Sequence, residues 1–134
     1  MPIKYDQPPR TVLLCDYSKG GFREPEMVKR RPVIVISPRL RHRTGLMTVV
    51  PLSTTVPTNP AAHHCQITLP QPLPGFPIQV CWVKADMIAT VSFDRLDMFR
   101  TDRDPNGKRK YLAPRISEAD FSAVLACIRA ALGL

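Results

Sequence analysis

The segment Glu24–Arg31 reads E-P-E-M-V-K-R-R and runs straight into the apolar stretch Pro32–Ser37. A carboxylate at Glu26 therefore stands in a loop, while Arg31 stands at the start of a strand, with Lys29 and Arg30 adding charge between them. Cleavage of an RNA backbone by its own 2′-hydroxyl needs few parts. One group takes the hydroxyl proton, one stabilises the charge that builds on phosphorus, and one protonates the leaving 5′-oxygen. Glu26 is the candidate base and Arg31 the candidate bidentate phosphate clamp. On spacing alone, an ordinary surface ion pair flanking a strand is the simpler explanation.

Val49–Thr55 reads V-V-P-L-S-T-T, a buried-type strand that ends in hydroxyls. A strand end holds Ser53 and Thr54 still enough to orient a phosphate; a Ser/Thr turn ahead of a proline-rich loop is the plainer reading. In Trp82-Val83-Lys84-Ala85-Asp86, strand alternation places Trp82, Lys84 and Asp86 on one face. That face can stack a base and hold its backbone, although a half-buried Trp beside a structural ion pair explains it equally well. Arg41, His42 and Arg43 form a dense basic loop expected to face nucleic acid. A ribonuclease of the two-histidine type needs a base and an acid both poised near neutral pH. The spacing fixes no such pair, and His63 and His64 are expected at the surface.

The elements that must position these groups are short and punctuated by proline. The 134-residue chain contains 15 prolines, about twice the usual frequency, gathered in 51–60 and 70–77, where they mark loops between strands. Runs rich in Val, Ile and Thr predict strands over 11–15, 33–37, 47–50, 65–69, 79–83 and 88–92. Asn106-Gly107 signals a turn before a last strand over 108–112. Only the C-terminus reads as a helix. Ser117 opens it as a cap, and Phe121, Val124, Leu125, Ile128 and Leu132 recur at helical spacing. Several strands closed by one helix predict a small, strongly bent antiparallel sheet or barrel with the helix over its open end.

Composition limits the partners. The net charge of +8, from 19 Lys and Arg against 11 Asp and Glu, favours polyanions such as nucleic acid, or an acidic protein. The apolar stretches are too short to span a bilayer. The N-terminus carries prolines and charges instead of an apolar signal core, so a cytoplasmic protein is expected. Cys15, Cys65, Cys81 and Cys127 are far apart and expected as buried free thiols. His63-His64-Cys65 lacks the paired spacing of a zinc site, so no metal or other cofactor is expected.

Taken in order, these pieces resemble a MazF/PemK/Kid toxin of a bacterial toxin–antitoxin pair. The likeness runs through Val12–Asp16, Glu26–Arg30, and R-P-V-I-V-I-S-P from Arg31 to Pro38. It continues through Thr44-Gly45-Leu46, V-V-P-L-S-T from Val49 to Thr54, Val83–Asp86, Arg95-Leu96 and the closing helix. The resemblance implies a mainly β fold with a C-terminal helix, a small SH3-like barrel of the CcdB/PemK type. It implies one domain over residues 1–134, with 1–9 expected as a flexible arm. It also implies a homodimer with single-stranded RNA, mRNA first among the classes, laid across the subunit interface. Cleavage would be sequence-specific and metal-independent, by 2′-hydroxyl attack that leaves a cyclic phosphate.

Residue by residue, the resemblance gives Arg31 the place of the family's catalytic arginine and Glu26 that of the acidic residue before it. Ser53 stands where many members carry a threonine; without the methyl that restrains the hydroxyl, the role can pass to Thr54. Lys84 and Asp86 match an arginine and an aspartate of the PemK/Kid branch, but lysine forfeits the planar fork. Pro25 stands where that branch has a histidine. These departures leave the division of acid and base roles open. The implied partner is an acidic antitoxin whose disordered tail folds into the basic groove. Two other classes stay open: a gyrase-inhibiting CcdB-like toxin on the same barrel, and a non-catalytic RNA- or protein-binding SH3-like module. The gyrase poison carries a C-terminal Trp, whereas this chain ends Ala131-Leu132-Gly133-Leu134.

Overall fold

The computed structural model describes residues 2–134. Three antiparallel strands form its centre: β1 (Val12–Asp16), β2 (Arg30–Val35) and β3 (Leu46–Ser53). Their registers run from Val12↔Ile34 to Asp16↔Arg30 and from Val33↔Pro51 to Val35↔Val49. Val12, Leu13, Val33, Ile34, Val35, Val49 and Val50 are all fully buried. Both faces of these strands are covered, which is why the sequence shows continuous apolar runs here and no polar alternation. On one face Val12, Ile34 and Val50 pack with Ile67, Val83, Phe99 and the helix residues Val124, Cys127 and Ile128. On the other, Leu13, Val33 and Val35 pack with Met47, Val91 and Leu96.

β3 is the longest strand and has two partners along one edge. Leu46–Val49 pairs with β6 (Ala89–Ser92), then Leu52–Ser53 pairs with β5 (Val80–Lys84). Pro51, which has no N–H to donate, falls in the gap between those two ladders. β4 (His64–Thr68) lies outside β5, and β7 (Leu96–Asp97) outside β1, so the strand order is β4-β5-β3-β2-β1-β7 with β6 beside β3. The mainly β architecture with one C-terminal helix is as expected, but the sheet does not close into a barrel. No ladder joins β7 to β4. β7 is too short to carry one, and β4 meets the helix instead, where the Thr68 N–H donates to Asp120 Oδ2 at 3.4 Å.

Helix α1 (Glu118–Leu132) starts as its sequence requires: the Ser117 hydroxyl accepts from the Asp120 N–H, and Gly133 ends the helix with a φ of 72°. Leu132 does not complete the buried stripe. It is 54% exposed, and Cys127 takes that place in the core. The ribbon of β8 (Phe99–Arg103) and β9 (Arg109–Leu112) turns at Asn106-Gly107, where Asp104 Oδ1 accepts from both the Asn106 and Lys108 amides at 2.9 Å. The expected arm over 1–9 is docked at its start. Ile3 is buried, its N–H donates to Leu96 O at 2.8 Å, and Pro2 bridges Asp97; Met1 lies outside the described residues. No described helix is long and apolar enough to cross a membrane.

Candidate active site

The register brings the catalytic candidates to one end of the sheet. Arg31 pairs with Cys15 on one side, and Ser53 pairs with Trp82 on the other. The β2–β3 ladder closes at Val33↔Pro51, two residues short of Arg31 and Ser53, which lie at the same end of the two adjacent strands. Arg31, Ser53 and Thr54 line one cavity of about 200 Å³ whose floor is apolar, formed by Leu52, Leu69 and Phe76. Arg31 also lines a second cavity, of about 510 Å³, with Glu26, Lys29 and Met87. Arg31 is thus the residue shared by the cavity of the hydroxyls and the cavity of the carboxylate.

Arg31 is half-buried, and its Nε is buried with no hydrogen-bond partner. The ion pairs among the described residues are Arg10–Glu118 and Arg39–Asp6, so no carboxylate neutralises Arg31. A buried donor without an acceptor costs about 1–3 kcal/mol, a cost tolerated where a ligand supplies the acceptor. Ser53 is buried, and its Oγ accepts from the Thr55 N–H at 3.1 Å. That bond fixes the hydroxyl and leaves its own proton to donate into the cavity. Thr54 beside it is exposed.

Glu26 sits in the loop between β1 and β2, where its N–H donates to Arg23 O at 2.8 Å. Arg95 ties down the start of that loop. Its guanidinium donates to Asp16 O, Lys19 O and Gly20 O at 3.1, 2.7 and 2.7 Å, and its carbon lies 4.6 Å from the centre of the Phe22 ring. Sequence reasoning gives Arg95 no role. Its acceptors are carbonyls more than 70 residues earlier, so no local pattern signals it.

The remaining candidates are dispersed. Trp82 and Lys84 share a face of β5, but Asp86 does not follow from the pleat, because the chain enters a 3-10 turn over Ala85–Met87. Asp86 instead lines a cavity of about 480 Å³ with Glu26, Tyr17 and Phe22. Lys84 pairs with His64 on β4, and neither it nor Trp82 lines the two cavities of Arg31. Arg30 faces a different hollow, of about 320 Å³, with Leu14, Asp97 and Arg100. Arg41, His42 and Arg43 occupy the tip of the β2–β3 hairpin, where Leu40 bridges Arg43 and His42 has a φ of 61°. The length of β2 separates them from Arg31, roughly 16 Å, so one chain does not bring them to the site.

His64 Nδ1 accepts from the Ala61 N–H at 2.9 Å and its ring lies 4.1 Å from that of His63, a local turn arrangement away from Arg31. The four cysteines are free; Cys15, Cys81 and Cys127 are buried and Cys65 is half-buried. Burial pushes the Cys15 and Cys65 thiols up to about 12. Among the described residues no three His, Cys, Asp or Glu side chains gather as a metal-ligand set.

A family profile described as the PemK-like, MazF-like toxin of type II toxin-antitoxin systems matches residues 9–132. No curated protein matches in sequence. Among solved structures, the chain resembles an endoribonuclease in complex with its cognate antitoxin from a mycobacterial species. Identity is 22%, over 96% of this chain and 97% of that one, with a TM-score of 0.64. It also resembles MazF from Deinococcus radiodurans, at 18% identity over 98% of this chain and all 100% of that one, with a TM-score of 0.60. A third likeness is to the Mycobacterium tuberculosis toxin MazF-mt6, at 18% identity over 93% of this chain and 98% of that one, with a TM-score of 0.57. At these identities the likenesses establish the fold.

Proposed function

The chain belongs to the PemK-like, MazF-like toxins of type II toxin–antitoxin systems, and from that premise we propose that it is an endoribonuclease that cuts single-stranded RNA at short sequences without a metal ion. The observation that carries the reading is Arg31, whose buried Nε has no acceptor and which lines both a cavity with two hydroxyls and a cavity with a carboxylate. A scissile phosphate placed there supplies the acceptors that Arg31 lacks. Glu26 takes the proton of the adjacent 2′-hydroxyl as that oxygen attacks phosphorus. Arg31 and the Ser53 hydroxyl hold the two non-bridging oxygens while their charge grows. The bond to the 5′-oxygen breaks, and that oxygen takes its proton from solvent water on the open side of the cavity. The products are a 2′,3′-cyclic phosphate and a 5′-hydroxyl. In this reading the charge on phosphorus is met by Arg31, the role a metal ion plays in other nucleases.

The same reading makes the chain a cytoplasmic homodimer, neutralised by an acidic antitoxin. Its +8 charge suits both RNA and an acidic polypeptide, and the similar mycobacterial endoribonuclease is described in complex with its cognate antitoxin. A dimer also offers a route for Arg41, His42 and Arg43 to act, by presenting the hairpin tip of one subunit to RNA bound at the other. The direct test incubates the purified protein with a long single-stranded RNA, with and without EDTA, then sequences the new ends and identifies their phosphates. Cyclic-phosphate and 5′-hydroxyl ends at one recurring short sequence, unchanged by EDTA, are expected. Intact RNA, 5′-phosphate ends or loss of activity in EDTA would overturn the mechanism.

A further inference from the structure

In the β8–β9 ribbon like charges face each other across a ladder, and the compensation among the described residues is one hydrogen bond, from Arg103 Nη1 to Gly107 O at 3.3 Å. Arg103 stands directly opposite Arg109, and Arg100 directly opposite Tyr111, while Phe99 pairs with Leu112 and points into the core. Like charges directly across a ladder repel. Arg100, Arg103, Arg109 and Tyr111 are all exposed, and none of the three arginines has a carboxylate within ion-pair distance among the described residues. Asp104, the carboxylate at the turn, is spent on the Asn106 and Lys108 amides. Arg100 also lines one hollow with Arg30, whose neighbour in the chain is Arg31. Cations thus run from the candidate site onto the ribbon, with Asp97 the one carboxylate lining the hollow that joins them.

We propose that this ribbon is a second RNA-binding surface, which grips nucleotides flanking the cut by their phosphates and packs one base against Tyr111. Planar guanidinium forks match phosphate oxygens, and an exposed ring among them offers a stacking face that an acidic peptide does not require. An anion between Arg103 and Arg109 turns their repulsion into shared attraction. The proposal rests on the nuclease reading for its substrate, and its test separates the two.

The double variant Arg103→Ala/Arg109→Ala is compared with the unaltered chain on a long RNA and on an oligonucleotide just spanning the cut. On the long RNA, KM is expected to rise about tenfold with kcat unchanged, and the log–log salt slope of binding to fall by roughly 0.7 for each phosphate that the ribbon no longer neutralises. On the short substrate both constants should stay as they were. A second variant, Arg103→Glu, guards against a folding artefact: it places opposite charges across the ladder, so Tm should hold or rise while long-RNA binding weakens. Equal losses on long and short RNA, or an unchanged salt slope, overturn the ribbon and leave the nuclease reading standing. RNA that is bound but never cut sinks the nuclease reading, and the ribbon is then judged by its salt slope alone. If the double variant binds RNA normally but escapes neutralisation by an acidic polypeptide, the surface belongs to a protein partner and the proposal falls.

Discussion

Replacing Arg31 with alanine separates stability from catalysis, because the structure gives the guanidinium no partner to lose. Its Nε is buried without an acceptor and it forms no ion pair, so deleting it relieves a desolvation penalty of about 1–3 kcal/mol. Against this stands the loss of a half-buried aliphatic stem, about 1 kcal/mol for three methylenes at about 0.8 kcal/mol each when fully buried. The remainder is about 0–2 kcal/mol in favour of the variant, so for a chain of this size Tm should hold or rise, by no more than roughly 8 °C. Cleavage behaves differently. Removing a positioned donor from a developing oxyanion typically costs about 100- to 1,000-fold in kcat, and Arg31 supplies charge as well as donors. The assay pairs a thermal unfolding scan with single-turnover cleavage of a defined RNA. Arg31→Lys keeps the charge but loses the fork, so its rate should fall between the two. A Tm drop of about 10 °C or more, with cleavage intact in the folded fraction, would make Arg31 a structural residue and refute the argument.

Other expectations follow from the same geometry. Ser53→Ala leaves the Thr55 N–H without its acceptor, so it should cost about 1 kcal/mol in stability and slow cleavage, whereas Thr54→Ala should leave stability unchanged; a larger rate loss in Thr54→Ala would shift the phosphate-orienting role to that residue. Arg95→Ala removes three charged hydrogen bonds and its packing on a ring, for about 2–4 kcal/mol. Limited proteolysis within residues 17–29 should then appear before global unfolding, and resistance equal to the unaltered chain would count against Arg95 as the loop's anchor. With the Cys15 and Cys65 thiols pushed up to about 12, both stay protonated at neutral pH, and the thiolate is the reactive form. Iodoacetamide should modify the native chain slowly at neutral pH, faster as pH rises, and all four cysteines rapidly in denaturant; fast native labelling at neutral pH would contradict the buried state.

The strands that carry the core are readable in the sequence because β-branched runs between prolines have few alternatives. Three places are not. The apolar pattern predicts the second strand over 33–37, yet it spans Arg30–Val35, because Asp16 and Cys15 pair with Arg30 and Arg31. Charged residues are drawn into a ladder by a partner no local window contains. The strand Phe99–Arg103 gives no sequence signal because its outer face reads arginine and aspartate, and only the packing of Phe99 against the core fixes its direction. Alternation puts Asp86 on the Trp82 face, but a pleat argument holds only while the strand continues, and the 3-10 turn at Ala85 ends it. The order of motifs singles out Arg31, Glu26, Ser53 and Thr54, of which Arg31 shares one cavity with Ser53 and Thr54 and another with Glu26. The basic loop at 41–43 comes from the same charge reading and lies at the far end of the hairpin. Charge composition identifies a class of ligand; it carries no information on which cations converge.

That convergence depends on β3. Two more rungs on the β2 edge would pair Ser53 with Arg31. Here the β2–β3 ladder stops at Val33↔Pro51, and beyond it β3 is paired with β5. A strand that changes partner can turn a corner in a bent sheet, and Pro51, unable to donate, sits where neither β6 nor β5 asks for a donor. Past that corner Arg31 and Ser53 are not paired with each other, and both line the cavity of about 200 Å³. The apolar runs that hold the sheet together thus end where the polar groups begin, and the end of the β2–β3 ladder is where the proposed mechanism would seat a phosphate.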